Sequence, residues 1–277
     1  MKKYKNHPLS LVLFLLVNLA AVITAAVVIF LIAYILWHGV PNLSLPGIFA
    51  WEYNGENQSM TPAIINTLIM TALTLLLAVP IGVFAAIYLV EYSKKGSRLV
   101  KLIRVTAETL AGIPSIVYGL FGFIVFVITL GWSYTLIAGV ITLSIMILPL
   151  IIRTTEEALM AVPDSFREGS FGLGAGKLRT VFRIVLPSAV PGIAAGIILA
   201  IGRIVGESAA LIFTSGTNPV VAKGLFTSAS TLSVHLYALL TEGLYTEQAY
   251  AVAAVLLFLV IGINALSSVA AKKLTAK

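Results

Sequence analysis

The sequence contains no cysteine. That excludes disulfides, thiolate metal sites, iron–sulfur clusters and a thiol nucleophile. Charge is scarce as well: only 10% of the 277 residues are Asp, Glu, Lys or Arg, against about 25% in ordinary soluble domains. The three histidines, His7, His38 and His235, are far apart. No His-Glu-x-x-His and no Gly-x-Ser-x-Gly occurs, so the common signatures of an intramembrane zinc or serine hydrolase are missing. There is no close internal repeat and no low-complexity linker. In abundance are apolar residues, at 59%. A soluble core of this size cannot absorb that much apolar surface, whereas a bilayer can.

A membrane helix needs about 20 apolar residues. Uncharged stretches run over 10–37, 62–90, 109–152 and 248–271, and 188–213 is apolar except for Arg203 and Glu207. The third stretch is long enough for two crossings, with a turn at Gly131, Trp132 and Ser133. The sequence therefore predicts an all-α polytopic membrane protein, a single transmembrane domain over 1–277. Its six spans fall at about 10–37, 62–90, 109–130, 133–152, 188–213 and 248–271. The first is too long for the apolar segment of a cleaved signal, which runs to about 15 residues. Pro80 predicts a kink in span two. Gly112, Pro114, Gly119 and Gly122 fit either close helix crossing or flexing of span three.

The net charge of +7 is a topology signal. Lys2, Lys3 and Lys5 precede span one. Lys94, Lys95, Arg98, Lys101 and Arg104 lie between spans two and three. Arg153, Arg167, Lys177, Arg179 and Arg183 lie between spans four and five, and Lys272, Lys273 and Lys277 follow span six. If six spans alternate, 16 of the 18 basic residues share one side, leaving Arg203 and Lys223. Positive residues collect on the cytoplasmic side, so both termini are expected there. The charge is thus accounted for without a nucleic-acid partner.

The cytoplasmic loop 153–187 carries the most information. Ser165 and Glu168 have capping-box spacing, which predicts a short helix beginning just after Ser165 and ending at Gly172 or Gly174. Such a helix beside the membrane suits protein contact better than chemistry. Gly172–Lys177 resembles a phosphate-binding loop only superficially: Phe171 and Leu178 stand where that motif needs Gly and Ser or Thr. This chain is not expected to bind ATP.

Glu168-Gly169-Ser170, then Gly174, then Ile184-x-Leu186-Pro187 match the Glu-Ala-Ala-x3-Gly-x9-Ile-x-Leu-Pro signature of ABC importer permeases. The spacing is the same; the departure is Gly169-Ser170 for Ala-Ala, two small residues of weaker helix propensity. The resemblance implies a type I importer permease fold. It also implies that Ser165–Gly174 is the helix that docks on an ATPase, with ATP and magnesium bound by that partner. Segments 78–92, 110–122 and 200–211 resemble the phosphate-importer permeases in particular, and Leu-Ser-Val-His-Leu-Tyr at 232–237 resembles the A-type subunit.

The resemblance implies a non-catalytic pore subunit in a prokaryotic inner membrane, moving inorganic phosphate by alternating access. Its implied partners are a C-type second permease, an ATPase dimer, an extracytoplasmic phosphate-binding protein and membrane lipid. It also points to Arg203, Glu207, Arg153 and Glu156 as pathway residues. Independently of the resemblance, an arginine about 15 residues into span five, with a glutamate one turn further on, is costly in lipid and should face protein or water. Their i, i+4 spacing puts them on one face. A guanidinium suits an oxyanion because it donates paired hydrogen bonds. Two readings stand for Arg203 with Glu207, an anion path or a packing pair, and likewise for Arg153 with Glu156, a gate or a juxtamembrane pair. His235, Lys223 and Glu242 are candidates for touching the binding protein. Rival functions are a permease for another oxyanion and an autonomous ion-driven transporter.

Overall fold

A computed structural model describes residues 8–53, 57–94 and 96–275. Lys2, Lys3, Lys5, Lys95 and Lys277 of the basic clusters lie outside the described residues. Among those described there is no strand; the chain is a succession of helices. α1 (Pro8–Gly39) leads through a short loop to α2 (Thr61–Ile87), which contains Pro80 without interruption and continues as a π-helical turn, Tyr88–Tyr92. α3 (Arg98–Ala111) and α4 (Ser115–Gly122, extended by π-helical Phe123–Thr129) follow. After a turn in which Gly131 and Ser133 take positive φ comes α5 (Leu136–Met160).

Then come α6 (Asp164–Gly172) and α7 (Lys177–Thr180), which runs through π-helical Val181–Val185 into α8 (Leu186–Val205). α9 (Ala209–Thr214), α10 (Leu232–Glu242) and α11 (Thr246–Thr275) complete the chain. Among the described residues, five helical stretches are long and apolar enough to cross a membrane. A sixth crossing exists if α3 and α4 with its extension count as one broken span.

That third crossing corrects the sequence reading. Residues 98–111 and 115–129 meet at 101°, so the helix entering from Thr109 does not continue. Pro114 has no N–H and disfavours helical backbone at Ile113 before it, and Gly112 caps α3. Gly119 and Gly122 do the other job. A Cβ on Gly119 would lie 2.8 Å from Ala210 Cα, and one on Gly122 would lie 2.6 Å from Thr214 Cγ2. The four residues thus divide between a break and a close crossing.

Two more boundaries move. The fourth apolar helix does not stop at Ile152 but carries Arg153 and Glu156 on to Met160. The fifth starts at Lys177 and ends at Val205, where Gly206 caps it, rather than running to Phe213.

α5 is the hub. Of its most apolar window 61% is buried, against 33% for α2 and for the α7–α8 helix. Leu143, Met146, Ile147 and Ile151 pack with Met70 of α2 and with Ala200 and Ile204 of α8. Within lipid such contacts are held by close packing rather than by escape from water. Accordingly, Gly192 and Gly196 of α8 set their backbone on Ala158 and Thr154 of α5, one turn apart on each helix. α1 is exposed along its length and leans on α11 through Tyr34, His38 and Tyr250.

Candidate functional site

Two regions at the basic end draw the predicted residues together. The first is α6. It begins at Asp164, two residues earlier than the capping box requires, with Pro163 as N-cap and no side-chain cap. Ser165 lies within the helix, and the Glu168 side chain makes no hydrogen bond or ion pair among the described residues. The capping-box reading is therefore wrong. Pro163 already fixes an extended entry (ψ 138°), and Asp164 in the first turn complements the positive helix end.

The C-terminal end follows expectation, at Gly174 rather than Gly172. Gly174 has φ +81°, its N–H donates to Phe171 O, and the Ala175 N–H donates to Ser170 O. That is a Schellman closure, which favours glycine in this conformation. Ser170 is buried and its hydroxyl meets that of Thr180 on α7 at 2.8 Å. Gly169 faces open space. Phe166, Phe171, Leu173 and Leu178 are exposed, an apolar surface that nothing among the described residues covers. Leu186 packs at the start of α8 with Val181, Val185 and Leu159, while Pro187 lies exposed in its first turn.

The second region is a cavity of about 360 Å³ between α3, α5 and α8. Its wall includes Met146 and Met160 of α5, about 21 Å apart at the helical rise. It thus extends from the middle of the hub helix to its basic end. Three arginines line it, Arg104, Arg153 and Arg203, and three glutamates, Glu108, Glu156 and Glu157.

Their pairing is not the one the sequence suggests. Arg104 of α3 pairs with buried Glu156 of α5: its Nε donates to Oε1 at 3.2 Å, and Nη2 lies 3.1 Å from the same oxygen. Arg153 donates to Glu157 at 2.9 Å, both exposed. Arg203 and Glu207 do not meet, because α8 ends between them. Glu207 Oε1 instead accepts the Ala210 N–H at 3.1 Å, and its backbone carbonyl accepts Ser233 Oγ. Glu207 is thus a buried cap for α9 and does not neutralise the arginine.

Arg203, half-buried, has no hydrogen bond or ion pair among the described residues and is the cavity's unneutralised cation. It also borders a second cavity with Gly202 and Asn264, whose buried Oδ1 has no hydrogen-bond partner among the described residues. Arg104 was visible to sequence reasoning only as a loop charge, since its partner is 52 residues away on another helix. Glu108 carried no local signal at all. No group of three His, Asp or Glu side chains among the described residues is placed to hold a metal ion.

The Arg104–Glu156 pair is the polar link between α3 and the hub helix, with a buried carboxylate and a half-exposed guanidinium. A double-mutant cycle on Arg104→Gln and Glu156→Gln, read by thermal unfolding in detergent, should return a coupling of about 1 kcal/mol. Additive effects of the two changes would show that the pair does not hold α3.

At the opposite end Asn66 of α2 pins the loop before α10. Its amide donates to Val220 O and Ser230 O and accepts from the Ala222 N–H. His235 is buried there against Gln58 O and the Tyr53 ring, and burial lowers its pKa. It is not available to touch a partner. Lys223 and Glu242 are exposed.

A family model described as "Binding-protein-dependent transport system inner membrane component" matches residues 78–275. The probable ABC transporter permease protein YqgI of Bacillus subtilis (strain 168) is 34% identical over 247 residues, 83% of each chain. The phosphate transport system permease protein PstA 1 of Mycobacterium tuberculosis (strain CDC 1551 / Oshkosh) is 40% identical over 173 residues, 62% of this chain and 55% of that one. The phosphate transport system permease protein PstA of Mycobacterium leprae (strain TN) is 35% identical over 224 residues, 80% of this chain and 72% of that one. Among solved structures, a chain of a bacterial alginate ABC transporter in complex with alginate pentasaccharide-bound periplasmic protein superposes with a TM-score of 0.72. It covers 99% of both chains at 16% identity, a likeness of fold.

Proposed function

Since the chain belongs to the family of inner membrane components of binding-protein-dependent transport systems, we propose that it is a transmembrane pore subunit of an ATP-driven importer of inorganic phosphate. The observation that carries this reading is the unneutralised Arg203 at the inner reach of a cavity whose other arginines are both paired. A phosphate arriving there meets a guanidinium able to give two parallel hydrogen bonds. The two neighbouring ion pairs keep the rest of the wall close to neutral. Glu108, on the same wall, repels the anion as it moves on. One free cation makes a site that is attractive enough to enter and weak enough to leave, as conduction requires.

In this reading the basic end is cytoplasmic, by the positive-inside rule, and α6 with its exposed Phe166, Phe171 and Leu173 is the surface that meets an ATPase. ATP and magnesium belong to that partner and the chain itself is not catalytic. Pore closure is shared with a second permease subunit, and Lys223 and Glu242 face an extracytoplasmic phosphate-binding protein.

The test is a pull-down of the chain from its own membranes, followed by reconstitution of the isolated assembly in liposomes. Uptake of radiolabelled phosphate should require ATP on the α6 side and the phosphate-binding protein on the other, with sulfate as a poor competitor. Phosphate uptake by this chain alone, driven by an ion gradient, would replace the pore-subunit reading with that of an autonomous transporter.

A further inference from the structure

The residue before Glu168 in the α6 signature has no part in the phosphate cavity, yet it is among the most fully engaged side chains of the molecule. Arg167 lies in α6 with 15% of its side chain exposed. Its Nε and Nη2 both donate to Glu91 Oε1, at 3.1 and 2.7 Å. The second Nη2 hydrogen goes to Leu159 O at 2.9 Å, and Nη1 serves Val162 O at 2.8 Å and Asp164 Oδ1 at 3.2 Å. A guanidinium has five N–H donors, so each has an acceptor. Those acceptors belong to three elements: Glu91 to the π-helical end of α2, Leu159 and Val162 to the last turn and exit of α5, and Asp164 to α6 itself.

Glu91 is 8% exposed at its side chain. Removing water from both ions costs free energy that hydrogen bonding must recover; the guanidinium is saturated, and Glu91 accepts two of its hydrogens at Oε1.

We infer that Arg167 is the joint through which movement of α6 is passed to α2 and α5, with Glu91 as its counterpart on α2. The inference rests on the proposed function, in which α6 receives the push of an ATPase. α6 has nine residues, too few to hold a position by itself, and its outward apolar residues are left for a partner. Among the described residues, two polar side-chain attachments bind it to the rest of the chain. Ser170 with Thr180 fastens it to the start of the α7–α8 helix, and Arg167 fastens it to α2 and α5. Without the second, α6 would be fastened to α8 by Ser170 and to α5 only by the three-residue connection 161–163, so α2 would lag and α5 would be moved through its last residues alone. A planar fork fixes direction as well as distance, which an ammonium on a flexible stem does not.

The experiment is a comparison of Arg167→Lys, Glu91→Gln and the double Glu91→Gln/Arg167→Gln with the unaltered chain. Each is purified with its associated ATPase and second permease and reconstituted in liposomes with the phosphate-binding protein. ATP hydrolysis and phosphate uptake are read on the same sample. Arg167→Lys and Glu91→Gln should keep the ATPase bound and hydrolysis within about twofold, yet lower phosphate moved per ATP by about fivefold or more. The double variant should be no worse than the single ones, because the joint is lost once.

An unchanged ratio of phosphate to ATP in Arg167→Lys and Glu91→Gln, with the assembly intact, would overturn the inference. So would an equal fall in hydrolysis and uptake, which marks mere instability. If the double variant loses the assembly, the Arg167→Lys and Glu91→Gln variants decide. Absence of ATP-driven phosphate uptake by the unaltered assembly would count against the proposed function and not against the joint.

Discussion

Arg203→Gln should lower phosphate uptake by at least about a hundredfold while the assembly with ATPase and second permease stays intact. The size follows from two charge-assisted hydrogen bonds at about 1.5–3 kcal/mol each, taken from the one unneutralised cation of the cavity. The sparing of the fold follows from what Arg203 does not do. It holds no ion pair among the described residues, so its removal strands no buried carboxylate. Glu207, which the sequence offers as its partner, is satisfied by the Ala210 N–H. The check is uptake in liposomes beside size-exclusion chromatography of the same preparation. Normal uptake would remove Arg203 from the path; loss of the assembly would make it a packing residue. Glu207→Gln separates the two positions, because its amide oxygen still accepts from Ala210 and transport should survive.

The second large effect is expected from Gly196→Leu. The α5–α8 crossing is as close as backbone allows: a Cβ at Gly196 would fall 2.6 Å from Thr154 Cβ, and one at Gly192 would fall 2.6 Å from Ala158 Cβ. A leucine forces the helices apart. Overpacking of this kind costs about 1–3 kcal/mol, and membrane helices have little hydrophobic gain with which to offset it. The yield of monodisperse chain in detergent should drop several-fold and the unfolding temperature should fall, with uptake lost because α8 carries Arg203. Gly262→Ala, where a Cβ meets nothing within 4 Å, should leave yield and unfolding temperature unchanged. Equal yields for Gly196→Leu and the unaltered chain would mean that the helices do not cross so closely.

Apolar run length identified the long helices because lipid imposes that length directly. The α6 end was legible because Gly174 acts on its own backbone; the start, read from Ser165 and Glu168, lies two residues earlier, where Pro163 sets the entry. What failed were inferences that assumed a helix continues. Arg203 and Glu207 share a face only if the helix passes Gly206, and it does not. Thr109 and Ser115 belong to one span only if Gly112-Ile113-Pro114 stays helical, and the chain turns there by 101°. In both places the glycine was visible, but its consequence depended on what packed beyond it: Ser233 on the Glu207 carbonyl in one case, α5 under α3 in the other. Arg104 with Glu156 and Arg167 with Glu91 join residues 52 and 76 positions apart. No local pattern encodes such partners, and in a sequence with so few charges each basic residue reads first as a topology marker.

Gly169 stands in the α6 signature where other importer permeases carry alanine, and its missing side chain leaves a space that nothing within 4 Å would contest. Helix propensity alone would favour alanine there by roughly 1 kcal/mol. A library of all side chains at this position, sorted for folded protein, should therefore enrich residues other than glycine. Sorted for growth on limiting phosphate, it should keep only those that fit a surface this chain does not possess. The gap between the two outcomes measures how far the evolution of position 169 is dictated by another polypeptide.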